Sequence, residues 1–239
     1  MKQKISIALV LAMMLALLAG CTGTTVVYSP VIESTTPAET DAPTAAPASG
    51  AVKTGLAIIP SISDSVSASA DAEGEIKYDI TLAAVTVTDD GVIESCIIDS
   101  VPASVKFDAA GKITSDLSAP ISTKNELGEA YGMKAYGGAK YEWNEQVAAL
   151  AAYAQGKTVE QLRSGAITEA GMAADADLAS TATIYLGGFV SAIESAVANA
   201  AHLGAQSGDV LKLASISSTA KSTPADGETK GLAQLDTDV

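Results

Sequence analysis

Hydrophobic and polar positions change period along the chain. In "IKYDITLAAVTVTDDGVIESCIID", from Ile76 to Asp99, two β-branched runs flank Asp-Asp-Gly. That is the pattern of a hairpin, and Gly91 can take the positive φ that a tight turn requires. "SVKFDAAGKITSD" repeats the arrangement on a smaller scale, with Gly111 in its turn. "TGLAIIPSIS" reads as a further strand, and Pro60 places it at a sheet edge or a bulge because proline has no N–H to donate. These runs predict an antiparallel sheet of about four or five strands.

The second half changes to helical spacing. "YEWNEQVAALAAYAQGKT" puts Trp143, Val147, Leu150, Ala151 and Ala154 on one face, with Gly156 as the stop. Thr158 and Gln161 form a capping box for a short helix that Gly165 is expected to end. "IYLGGFVSAIESAVANAAHLG" carries Phe189, Ile193, Val197 and Ala200 on a stripe, closed by Gly204. Gly187 and Gly188 weaken its first turn and predict a start near Phe189. The tail from Val210 to Val239 turns β-like again, and a C-terminal hairpin is expected to complete the sheet. It echoes the domain's beginning, "GLAIIPSIS" against "LKLASISS", either as a weak repeat or as shared composition. The fold expected is α+β: an antiparallel sheet of hairpins packed against two or three helices.

The N-terminus changes the picture. Lys2 and Lys4 precede fourteen uncharged residues, "ISIALVLAMMLALL". At about 1.5 Å per residue this run is too short for about 30 Å of hydrocarbon, so it reads as a signal segment over residues 1–20. The "LAGC" that follows resembles the bacterial lipobox. That resemblance implies diacylation of Cys21 followed by cleavage before it, placing the chain on the extracytoplasmic face of a membrane through a lipid anchor. Residues 21–50, rich in Thr, Ala and Pro, read as an extended tether that reaches some 80 Å if polyproline-like. Residues 51–239 are then enough for one domain.

The charge is −14, from 14 basic and 28 acidic residues. Loss of Lys2 and Lys4 with the signal segment leaves 12 basic groups against 28 acidic, a balance of −16. Such a surface is repelled by phosphate backbones, so nucleic acid is excluded as a partner. With Cys21 acylated, Cys96 has no disulfide partner, and its strand context predicts a buried thiol. His202, the only histidine, is expected in the last turn of a helix near its carbonyls. One histidine and one free cysteine cannot build a zinc or transition-metal site, and Asp175 and Asp177 lack EF-hand spacing. No nucleophile elbow, P-loop or dinucleotide fingerprint is present.

Two stretches carry candidate chemistry. "AAVTVTDDGVIESCIID" resembles the V-x-V-x-x-D-G-x-I hairpin of the FMN-binding domain family, and "DLASTAT" follows ahead of a helix. That family includes the C subunit of the sodium-translocating NADH:quinone reductase, the related Rnf subunit and many extracytoplasmic lipoproteins. Its Asp-x-x-Ser/Thr-Gly-Ala-Thr motif presents a threonine to a flavin transferase. Asp177, Ser180, Ala182 and Thr183 match in register, while Thr181 replaces the glycine. The resemblance implies FMN esterified through its phosphate to Thr183, with Asp177 and Ser180 shaping recognition by the transferase. It also implies a carrier of electrons for membrane or surface redox proteins. The second stretch, "KNELGEAYGMKAYGGAKYEWNEQ", gathers Tyr131, Met133, Tyr136, Tyr141 and Trp143 in a chain with 4% aromatic residues. Tyr131, Met133 and Trp143 are candidates to contact the flavin ring. The residues allow another reading: Ser180 or Thr183 caps a helix, the aromatic loop is pinned to the core, and the domain is a cofactor-free surface binding or structural module. Thr181 favours it, because a β-branched residue resists the positive φ a glycine supplies.

Overall fold

Three long strands form the central sheet: β1 (Lys53–Ser61), β2 (Gly74–Val87) and β3 (Ile93–Phe107), antiparallel in the order β1-β2-β3. The structure, a computed structural model, describes residues 50–239; the signal segment, Cys21 and nearly all of the tether lie outside the described residues. β2 and β3 are joined at Asp89-Asp90-Gly91, where Gly91 has φ 80° and its N–H meets the Thr88 carbonyl at 3.0 Å. Pro60 lies in the edge strand β1, opposite Ile80. Gly111 also turns with positive φ, but its hairpin contributes a single bridge, Phe107 to Ile113, rather than a strand pair.

The C-terminal hairpin does not complete this sheet. β4 (Ile216–Ser218) and β5 (Asp236–Asp238) pair only with each other, so the sheet has three strands where four or five were expected. Each outer edge is taken over part of its length. Beyond β1, Thr54 N–H bonds to the Ala201 carbonyl at 2.9 Å and Val52 N–H to Ala205 at 3.0 Å. Along β3, Ile93 exchanges backbone bonds with Lys157 and Gly156, and the Asn125 amide caps the Ile98 carbonyl at 2.8 Å. The tail covers a face instead: Leu213 and Leu235 pack on Ile80, Leu82 and Val101. Thus the two runs that echo one another in sequence occupy different structural places.

The opposite face carries the main core. Ala83, Val85, Val87, Ile93 and Ile98 meet α2 (Trp143–Ala154) and α5 (Gly187–Ala198). Two helices therefore do most of the covering, with α1 (Lys124–Leu127), α3 (Val159–Ala166) and α4 (Ala176–Thr181) as shorter supports. The Thr158–Gln161 capping box forms as its spacing predicts. Gly165 lies inside α3 rather than ending it. α5 starts at Gly187, two residues before Phe189, and ends at Ala198 well short of Gly204. Its buried stripe is Val190, Ala192, Ile193 and Ala196, with Phe189 and Val197 half-buried beside it. Among the described residues no helix is long and apolar enough to cross a membrane.

α5 lies close against β1 because Gly55 has no side chain. A Cβ there would sit 2.0 Å from the Ala196 carbonyl oxygen and 3.0 Å from the Ala200 methyl. Backbone cannot yield as a side-chain tip does, so Gly55→Ala is expected to destabilise the fold by about 1–3 kcal/mol. Urea unfolding reads this as a lower midpoint at unchanged slope. Cys96 lies 7% exposed in β3, and burial pushes its thiol from an ordinary 9.0 up to about 12. The thiol form is favoured by folding, so this contribution is complete below about pH 9 and is lost as the pH rises toward 12. In a Cys21→Ser chain at about pH 8, a thiol reagent should spare Cys96 until denaturant is added. Equal rates with and without denaturant would contradict its burial.

Candidate functional site

The Asp177–Thr183 stretch forms the short helix α4 and the turn that follows it. Its N-cap is Asp175, whose Oδ1 accepts the Asp177 and Leu178 N–H groups, each at 3.0 Å. Ser180 or Thr183 was expected to cap or precede the longer helix that follows: α5 has Leu186 at its N-cap with no side-chain cap, so neither caps it, and both precede it. Ser180 instead donates its hydroxyl back to the Asp177 carbonyl at 2.7 Å, and Thr183 follows the helix. Leu178 and Ala182 point into the core, while Asp177, Ser180 and Thr183 are exposed. Thr181 is the last helical residue, and no described residue other than glycine has positive φ. The position of the family's glycine therefore needs no left-handed backbone here, and the β-branched side chain meets no conformational obstacle.

Thr183 is held from beneath by Gln146, a fully buried residue of α2. The Gln146 Oε1 accepts Thr183 N–H at 2.8 Å, the Thr183 hydroxyl at 3.2 Å and Ile184 N–H at 3.2 Å. Its Nε2 donates to the Tyr141 carbonyl at 3.1 Å and lies 3.9 Å from the Met133 sulfur. Three donors on one side and a carbonyl on the other fix which way the amide faces. One side chain thus ties the turn after α4 to the aromatic loop.

That loop is anchored by two further buried polar groups. Glu142, 3% exposed, accepts Met133 N–H at 2.8 Å and Lys134 N–H at 3.2 Å. Lys124 has an 8% exposed side chain, and its Nζ lies 3.1 Å from the Asp79 carboxylate. The same ammonium stands 5.4 Å from the Tyr131 ring centroid and 5.1 Å from that of Trp143, a double cation–π arrangement. Trp143 is 4% exposed and meets Phe189 edge-on at 5.7 Å. Tyr131 and Met133 are half-buried, whereas Tyr136 at the loop tip is 91% exposed. A cleft of about 340 Å³ opens beside Lys124, Tyr131 and Asp79. A more apolar one of about 490 Å³ lies between Ile76, Val105, Phe107 and Leu232.

The structure therefore brings Thr183 and Met133 to a shared buried amide, and Tyr131 and Trp143 to a shared ammonium. Asp177 and Ser180 face solvent on α4 and share no hydrogen bond with that pair of hubs. Gln146, Glu142 and Lys124 were missed in the sequence. Gln146 left a signal, since it is a polar residue on the apolar stripe of Trp143, Val147 and Leu150. Lys124 and Glu142 left none, because their partners Asp79 and Met133 are distant in sequence or in a loop.

His202 lies beyond α5, not in its last turn, and its Nε2 meets Asp89 Oδ1 at 2.9 Å. Lys53 reaches the same oxygen at 3.1 Å. The Lys53 hydrogen bond first, then that of His202, holds the exposed Asp89 carboxyl below its ordinary value. Among the described residues no group of three or more His, Cys, Asp or Glu is placed to hold a metal ion. No protein-family model, curated protein or solved structure matches the chain significantly. The capping assignment has a direct check. Asp175→Ala should cost about 0.5–2 kcal/mol and lower the melting temperature, whereas Ser180→Ala should change it little. Equal effects would point to a different cap.

Proposed function

We propose that the domain carries FMN esterified to Thr183 and serves as a lipid-anchored, extracytoplasmic electron carrier for membrane or surface redox proteins. The observation that carries this reading is the state of Thr183. It is an exposed residue in the motif position, on a turn whose backbone is held by a buried amide. The surroundings fit a phosphoester. α5 begins four residues later with Gly187-Gly188, has no side-chain cap and has no acidic residue in its first turn. Such an end tolerates added negative charge. FMN would supply one- or two-electron redox chemistry, while Thr183 supplies attachment, Asp177 and Ser180 the surface read by the transferase, and the half-buried Tyr131 and Met133 the ring contacts.

A second reading, a cofactor-free surface binding or structural module, is favoured by one observation. Trp143 is committed to Phe189 and Lys124 inside the protein, which leaves its faces to the core. Co-expression of the full chain with a flavin transferase separates the two. The first reading expects a yellow protein that gains the mass of FMN less water, abolished by Thr183→Ala, on a chain acylated at Cys21. Colourless protein of unmodified mass would reject it.

A further inference from the structure

We infer that Gln146 is the positioning residue for Thr183: it points the hydroxyl's proton inward and its lone pairs outward, and it tolerates the loss of that proton. This rests on the reading of Thr183 as the flavin attachment point. Gln146 is 0% exposed and lies on α2, a twelve-residue helix packed against β3, so its amide is set by the core rather than by the turn it serves.

The contact geometry defines the role. Oε1 accepts from Thr183 N, Thr183 Oγ1 and Ile184 N at 2.8, 3.2 and 3.2 Å. The two backbone bonds fix the φ/ψ of the turn, and the third selects the hydroxyl rotamer. With its proton directed at the buried oxygen, the Thr183 oxygen turns its lone pairs toward solvent, where a phosphoryl donor arrives. Attachment then forms a bond from Oγ1 to the flavin phosphorus and breaks the pyrophosphate P–O bond of a flavin dinucleotide. The nucleoside monophosphate leaves and takes the proton on its phosphate, because the Oγ1 proton becomes strongly acidic once the new P–O bond forms and is then given up to the leaving group. The flavin is neither oxidised nor reduced. Positioning matters most for such a transfer, in which the acceptor supplies little besides a correctly placed oxygen.

The same geometry explains why the ester does not disturb the core. A carbonyl oxygen has two lone pairs, and Gln146 Oε1 has three donors. Esterification removes the hydroxyl donor and leaves the N–H groups of Thr183 and Ile184, one for each lone pair. No buried acceptor is orphaned, so the penalty that normally follows loss of a buried partner does not arise.

The test is a time course of flavin attachment to the full chain, with purified flavin transferase and flavin dinucleotide. Gln146→Met keeps the volume and removes the acceptor. It is expected to lower kcat by about tenfold or more, with little change in KM for the chain and the same final extent of labelling. A merely structural role would lower the final extent, through an unfolded fraction, while the folded remainder reacts at the wild-type rate; that outcome overturns the inference. So does a Gln146→Met protein labelled at the wild-type rate and extent. Gln146→Glu, in the protonated form whose hydroxyl still donates to the Tyr141 carbonyl, keeps all three acceptor contacts and should react within about threefold of wild type. A folded Gln146→Glu protein as slow as Gln146→Met also overturns it. If the wild-type chain takes no flavin, the attachment reading fails and the inference falls with it. That result is distinct from a labelled wild type with an indifferent Gln146.

Discussion

Every part of this domain answers to one constraint: β2 is buried on both faces. From Leu82 to Val87 each residue of that strand is buried, so a sheet of only three strands needs cover above and below as well as at both edges. α2 and α5 cover one face, and the tail from Leu213 to Leu235 covers the other. Edges left open would present unpaired backbone groups to other chains, and the segments 156–157 and 201–205 take those positions. The close seat of α5 depends on Gly55, where a Cβ would meet the helix backbone at Ala196. A small sheet is stable here because the remaining two-thirds of the described chain is devoted to enclosing it.

Three of the polar groups inside this enclosure are well partnered, whereas Asn144 Oδ1 and Ser215 Oγ are buried with no partner. Gln146, Glu142 and Lys124 each reach from the helical layer to backbone or charge elsewhere, and each fixes a loop that has little apolar surface of its own. A buried polar group with a full set of partners specifies one arrangement because any other would leave it unpaired. The loop from Tyr131 to Tyr141 and the turn at Thr183 are therefore held from below by α2, although both lie at the surface.

Local signals were readable in the sequence and distant ones were not. The Asp-Asp-Gly turn, the Trp143–Ala154 helix and the Thr158 capping box depend on neighbours within a few residues, and they form where their spacing puts them. The C-terminal hairpin failed as a sheet member because the alternation that marks a strand says nothing about which edge is free. Gly165 and the helix stop at Gly204 failed for a related reason: glycine permits an ending, but packing decides whether it is used. At the site, the register of Asp177, Ser180 and Thr183 was visible, while the cap of α4 is Asp175, two residues before the motif begins. The objection from Thr181 had two parts, a left-handed turn and close backbone approach to a phosphate; α4 runs through that position in right-handed form, which answers the first alone. His202 looked like a helix-end residue until the helix proved shorter than its apolar stripe.

The bonds that close the edge beside β1 have a topological result. Ser207 N–H meets the Gly50 carbonyl at 2.6 Å, and Ala51 bridges Gln206. The chain thus comes into the helix-covered body and goes out of it at one spot, with the sheet, all five helices and the Thr183 turn contained in the loop between. The tail that leaves there stays with the body: Leu213 and Leu235 cross to the sheet's other face and pack on Ile80, Leu82 and Val101, so a chain cut after Ser207 would keep its helical layer and bare the opposite side of β2.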